Sequence, residues 1–239
     1  MIDIRRADER FHTQISWLDS WHSFSFSEHY DPKNTHHGLL LVLNDDVIAP
    51  AGGFGTHPHK DMEIVTWVLE GALEHRDSAG NEGVIRPGVA QRMSAGRGIR
   101  HSEQNASRTE SVRLLQMWVP PDQNDIAPGY EQRDISDQKR DNELFALASG
   151  RDSNAAITLH QHDATLWVAT LQKGARVTIP DAPFVHLMVS TGGANLSGAG
   201  ALAPGDAVRL TDAGPLELEA TEDATELTVW EMWSELAIG

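Results

Sequence analysis

In His57-Pro58-His59 two imidazoles stand two residues apart, and in His101-Ser102-Glu103 an imidazole and a carboxylate repeat that spacing. Residues i and i+2 of an extended chain point to the same face, so each pair presents its two side chains together. Pro58 cannot donate to a sheet ladder, which suits a strand entrance or an edge. Gly96 and Gly98 turn the chain just before the second pair. Two such pairs on neighbouring strands can converge on one point. Three imidazoles and a carboxylate suit Fe(II), Mn(II), Ni(II), Cu(II) or Zn(II), and four ligands leave two positions of an octahedron open. The chain has no cysteine, which excludes disulfides, thiolate zinc sites, iron–sulfur clusters and a cysteine nucleophile.

Glu63 follows His59 by four residues and shares the parity of both histidines. It is a second candidate carboxylate. His12, His22, His29, His36, His37, His75 and His186 read as structural or surface residues. His160-Gln161-His162 has the paired spacing, but no glutamate follows at the matching offset and no histidine follows the later Pro204-Gly205 turn. That pair reads as a polar strand end.

The elements that must position these residues are strands. Apolar runs recur at Leu39–Leu43, Glu63–Leu69, Val112–Val119, Thr165–Leu171, Phe184–Ser190, Ala207–Leu210 and Leu227–Trp233, separated by turns such as Asp77-Ser-Ala-Gly-Asn81 and Ala203-Pro-Gly-Asp206. Such punctuation predicts an all-β sandwich or barrel. The first run is expected to stop at Asn44-Asp45-Asp46. No long segment carries a helical apolar stripe, although the polar stretch 120–152 reads as a linker able to hold a short helix. On its two sides Val65–Gly71 followed by Arg86-Pro-Gly88, and Val185–Gly192 followed by Ala203-Pro-Gly-Asp206, show strand, glycine turn and Pro-Gly in the same order. A duplicated barrel unit accounts for this, with domains at 1–135 and 136–239.

The 239 residues, 40% of them hydrophobic, suffice for one large or two small cores. A formal charge of −16 argues against nucleic acid or an anionic membrane as partner. The charged amino terminus lacks the apolar stretch of a secretory signal, and no run approaches the roughly 20 residues of a membrane helix. A cytoplasmic monomer is expected.

His57-x-His59, Glu63, Gly71 and then Gly98-x-x-His101-x-x-x-Asn105 resemble the two short motifs of the cupin superfamily. More narrowly, GTHPHKDMEIVTWVLEG (55–71) with SAGRGIRHSEQN (94–105) resembles the pirin family, especially bacterial members described as quercetin 2,3-dioxygenases. The resemblance implies a bicupin, two antiparallel jelly-roll barrels side by side with metal only in the amino-terminal one. It implies His57, His59, His101 and Glu103 as ligands, whereas the general cupin pattern would use Glu63. One divalent transition metal is expected, iron first, with manganese, nickel, copper or zinc as alternatives.

The implied activity is opening of the heterocyclic ring of a flavonol such as quercetin with dioxygen, releasing carbon monoxide. Glu103, with Glu63 second, is the candidate base for the 3-hydroxyl proton. Phe24, Phe26, Phe54, Trp67, Met93 and Trp118 are candidates to floor a flat substrate, while Arg97 and Arg100 read as solvated. A regulatory partner protein without turnover is the alternative, marked by an exposed apolar patch at the metal mouth instead of a closed pocket. A sugar or keto-acid isomerase ranks last, because Lys60 is the sole obvious lysine near the motif.

Overall fold

In a computed structural model of the chain, residues 1–236 are described. The chain is all-β, as expected, and its strands form two seven-stranded and two four-stranded sheets. In the first barrel the large sheet runs, in spatial order, Gly129–Asp134, Val89–Ser94, Glu63–Glu70, Val112–Val119, Val42–Ile48, Leu18–His22 and Phe11–Gln14. It faces a small sheet ordered Gly53–His59, Ile99–Asn105, Leu73–Asp77 and Glu82–Ile85. The second barrel repeats the plan with Ala164–Leu171, Phe184–Thr191, Ala207–Thr211 and Thr225–Met232 in its large sheet.

The two large sheets pack face to face. Val65, Trp67, Leu115 and Met117 from one side meet Leu147, Leu166, Met188, Trp230 and Met232 from the other in a single apolar cluster. The alternate residues of the same strands, Ile64, Val68 and Leu114, turn into the first barrel. A strand covered on both faces reads as a continuous apolar run, which is why Glu63–Glu70 and Val112–Val119 stand out in the sequence.

Three expectations are corrected. The segment 120–152 contains no α-helix; it supplies the strands Gly129–Asp134 and Phe145–Ser149. The first of these is an edge strand paired on one side with Val89–Ser94, and polar side chains suit such an edge. Asn44-Asp45-Asp46 does not end a strand: it lies inside Val42–Ile48, with all three side chains buried. The polar residues that read as a turn are interior groups with partners, Asp45 accepting two bonds from Arg113 at 2.9 and 3.0 Å. Finally, Ile2–Arg5 pairs with Ala207–Thr211, so the chain begins as an edge strand of the second barrel before entering the first.

Candidate metal centre

Gly53–His59 is the edge strand of the small sheet, and Ile99–Asn105 is its neighbour. The ladder sets His57 opposite His101 and Phe54 opposite Glu103, so the first strand carries one extra residue between these rungs. That bulge swings His57 and His59 towards His101. His57 Nε2 lies 3.0 Å from His101 Nε2, and the His59 ring centroid is 4.8 Å from that of His57 and 4.9 Å from that of His101. Ligand atoms of all three rings fall within 4.8 Å of one another.

The ring nitrogens are set for ligation. His57 Nδ1 donates to the Gly55 carbonyl at 2.8 Å, which leaves Nε2 with a free lone pair. His59 Nε2 is buried without a hydrogen-bond partner. Two imidazole nitrogens facing each other at 3.0 Å and an orphaned third are poor neighbours without a shared cation, and so fit one. Burial, and then the proximity of His57, holds His59 down to about 4. Burial first, followed by the other histidines, holds His101 at about 2. Both imidazoles are therefore neutral at physiological pH, the form a metal requires.

Glu103 leaves the same strand two residues beyond His101 and is 3% exposed. Gln116 Nε2 donates to its Oε2 at 2.6 Å and Thr66 Oγ1 to its Oε1 at 3.5 Å. Trp118 Nε1 donates to Gln116 Oε1 at 3.2 Å, which fixes the amide so that its NH2 faces the carboxylate. Burial pushes the Glu103 carboxyl up to about 7. Glu103 does not join the tight His57–His59–His101 group; it forms a second, wholly buried group with His101 and His75.

His75, which the sequence placed among structural histidines, sits across the ladder from Glu103, and Asp77 sits across from His101. His75 Nδ1 is 3.4 Å from His101 Nδ1, and His75 Nε2 is 3.4 Å from Asp77 Oδ2. The series gives a consistent proton order: Asp77 accepts from His75 Nε2, His75 Nδ1 accepts from His101 Nδ1, and His101 Nε2 is left as the ligand atom. The signal was available, since His75-Arg76-Asp77 repeats the i and i+2 device of the other two pairs.

Glu63 is placed elsewhere. Asp61, at φ 48°, and the turn around it break the extended chain between Gly53–His59 and Glu63–Glu70, so the parity argument does not carry across. Glu63 points with Val65 and Trp67 towards the second barrel, where its Oε2 accepts from the His160 backbone at 3.0 Å and lies 3.3 Å from His160 Nδ1 and 3.9 Å from Arg92 Nε. His160 thus serves the contact between barrels, and His162 is exposed.

A cavity of about 210 Å³ opens on His57, His59 and Glu103, walled by Leu18, Phe26, Phe54 and Trp118 and carrying Ser20, His22, Asn44, Asp46 and Gln116. Of the expected aromatic floor, Phe26, Phe54 and Trp118 line it; Phe24 and Trp67 are in the core between barrels and Met93 packs beside Ile64 and Ile99. The Trp118 ring stands edge-on to His59 at 4.9 Å and to Phe26 at 5.6 Å. Arg97 and Arg100 are exposed, and Lys60 pairs with Asp125 at 2.9 Å.

Residues 4–119 match the family model described as Pirin, and residues 146–231 match one described as Quercetinase C-terminal cupin domain. The chain is 57% identical over 236 residues, 98% of its length and 96% of the relative's, to a Mycobacterium tuberculosis protein provisionally named a quercetin 2,3-dioxygenase. It is 41% identical over 228 residues, 95% of its length and 97% of the relative's, to the quercetin 2,3-dioxygenase of Escherichia coli K12. The crystal structure of the E. coli bacterial pirin YhhW in complex with nickel(II) superposes with a TM-score of 0.89 at 38% identity, covering 99% of this chain and all of that one. No helix among the described residues is long and apolar enough to cross a membrane.

Proposed function

The chain belongs to the pirin family, and on that premise we propose that it is a metal-dependent dioxygenase that opens the heterocyclic ring of a flavonol such as quercetin and releases carbon monoxide. The observation that carries the reading is the convergence of His57, His59 and His101, two of which, His57 and His59, line a partly apolar cavity that also holds a buried carboxyl raised to about 7. His57, His59 and His101 would hold a divalent transition metal, iron first, with Glu103 as the fourth ligand or the adjoining base. The metal supplies a Lewis acid that favours the anionic form of a chelating hydroxyl, and open positions beside it.

The protein's own groups do the rest. Phe26, Phe54 and Trp118 flank a flat polyphenol and keep water from it. Glu103 accepts the 3-hydroxyl proton, and a carboxyl that burial has raised to about 7 is a base that can also return that proton. Gln116, held by Trp118, keeps the carboxylate aimed at the cavity. The electron-rich flavonolate so formed is the partner that dioxygen needs.

The large exposed apolar side chains among the described residues, Met1, Ile2, Ile15, Tyr30, Val47 and Trp233, do not line this cavity. That favours a substrate pocket over an apolar docking patch around the metal mouth. The test is oxygen uptake with carbon monoxide detection, using protein loaded in turn with each candidate metal and His101→Ala treated alike. Uptake that depends on metal and quercetin and is lost in the variant is expected. Equal silence in both, with metal bound to the wild type, would overturn the reading.

A further inference from the structure

Where the amino-terminal segment crosses between the barrels, Arg10, Ser23, Asn34, His186 and Arg209 line a second, small cavity of about 20 Å³. Among the described residues eleven buried side-chain nitrogen and oxygen atoms lack a hydrogen-bond partner, and five belong to residues of this cavity: Arg10 Nη1, Ser23 Oγ, both ring nitrogens of His186, and Arg209 Nε. Arg209 is 6% exposed and His186 is fully buried.

The charges around the cavity are unevenly matched. Arg5 pairs with Asp3 at 2.9 Å, Arg6 with Asp206 at 2.6 Å, and Arg10 Nη1, though it makes no hydrogen bond, lies 3.5 Å from Asp45 Oδ2; Glu9, the one carboxylate among the described lining residues, accepts from the Arg6 backbone N–H at 2.7 Å. Among the described residues Arg209 has no carboxylate within ion-pair distance. Its Nη2 donates to the Ser23 carbonyl at 2.9 Å and to Asn34 Oδ1 at 2.6 Å, and its guanidinium lies 4.4 Å above the Phe24 ring. These are neutral partners, and a buried cation without a counter-charge is costly. Burial, followed by the nearby Arg5, already lowers Arg209 to about 10.

Arg10 Nη1 and Arg209 Nε can only donate, Ser23 Oγ can donate, and a neutral His186 carries one N–H. One water offers two lone pairs to these four donors and no charge to Arg209. We propose that the cavity is a binding site for a small monovalent anion of halide size, accepting from Arg209, Arg10 and Ser23. The space admits one such ion and not a phosphate ester. The ligating residues come from both barrels, so the ion fastens the crossing segment to each.

The test uses the full chain. Crystals soaked in sodium bromide are expected to show an anomalous peak in the cavity that chloride displaces. In solution the melting temperature is expected to rise with chloride and not with gluconate at equal ionic strength. Ser23→Ala, which removes a donor without opening the core, is expected to need about tenfold more chloride for the same rise, as loss of one hydrogen bond to an ion implies. An ordered water without anomalous signal, equal melting in both salts, or an unchanged chloride response in Ser23→Ala would each overturn the proposal.

Discussion

The proton order that leaves His101 Nε2 free depends on a histidine that need not touch the metal. Removing His75 lets the His101 ring take the other tautomer or rotate, as partners behind a ligating histidine prevent. His75→Phe, which retains the stacking surface against Tyr130 at 4.8 Å, is expected to weaken metal binding about 10- to 100-fold in a chelator competition titration. His75→Gln, which can still accept from His101, is expected to recover part of the loss. A second residue-scale prediction concerns Asp46, fully buried in the cavity wall, where burial raises its carboxyl to about 7 while Ser20 Oγ donates to it. Between pH 4 and pH 7 the native state keeps a proton that the unfolded chain releases, so stability falls as pH rises through this window and the full cost persists above it. A shift of this size corresponds to at most about 4 kcal/mol. Asp46→Asn, whose amide oxygen still accepts from Ser20, is expected to melt several degrees above the wild type at pH 8, with the gap closing towards pH 4. Parallel melting curves at both pH values would contradict the assignment.

At the scale of elements, the sequence made legible those strands whose two faces are both covered. Glu63–Glu70 and Val112–Val119 pack one face into the first barrel and the other against the second, and their runs are mostly apolar, with Thr66, Arg113 and Gln116 as the polar interruptions. Shorter strands such as Leu73–Asp77 and Phe11–Gln14 alternate buried or half-buried residues with charged or exposed ones and resemble loops in composition, which is how His75 escaped notice. Asn44 and Asp46 misled for the converse reason, since a polar residue serving a cavity is indistinguishable by type from one serving a turn. Spacing within one strand brings His57 and His59 together with His101, while Glu103, at the same spacing from His101, falls in a separate buried group with His101 and His75. Spacing carried across a turn fails, and Glu63 is the case in point. Its carboxylate sits between elements of the two barrels, beside His160 and Arg92. Arg92 keeps its pair with Glu131 at 3.0 Å, so Glu63→Ala is expected to act mainly by stripping the His160 backbone N–H of its acceptor, at a cost of about 1–3 kcal/mol in denaturant unfolding. Metal affinity of the folded variant should remain that of the wild type, which chelator competition would check. A variant that loses metal at unchanged stability would return Glu63 to the site.

At the scale of the molecule, the two barrels depend on each other through more than the sheets packed between them. The chain starts in the second barrel, where Ile2–Arg5 completes the edge beside Ala207–Thr211, and Arg6 pairs with the buried Asp206. Ile4 packs on the second barrel's core. Only then does the chain enter the first barrel, so its opening residues tie the first barrel to Ala207–Thr211 of the second. Deleting residues 2–6 removes four ladder rungs and leaves Asp206 with its Ala7 and Ala203 backbone donors but no counter-ion. The His57–His59–His101 group lies on the first barrel's small sheet, which that deletion does not touch. The truncated chain is therefore expected to bind metal with unchanged stoichiometry. Its melting temperature should fall by several degrees, because each kcal/mol corresponds to about 2–4 °C in a chain of this size. Hydrogen exchange should locate the loss, with protection falling in Ala207–Thr211 and Phe184–Thr191 while Ile99–Asn105 stays protected. Uniform loss across both barrels would mean instead that the face-to-face sheets make the molecule a single cooperative unit, whose weakest edge sets the stability of the whole.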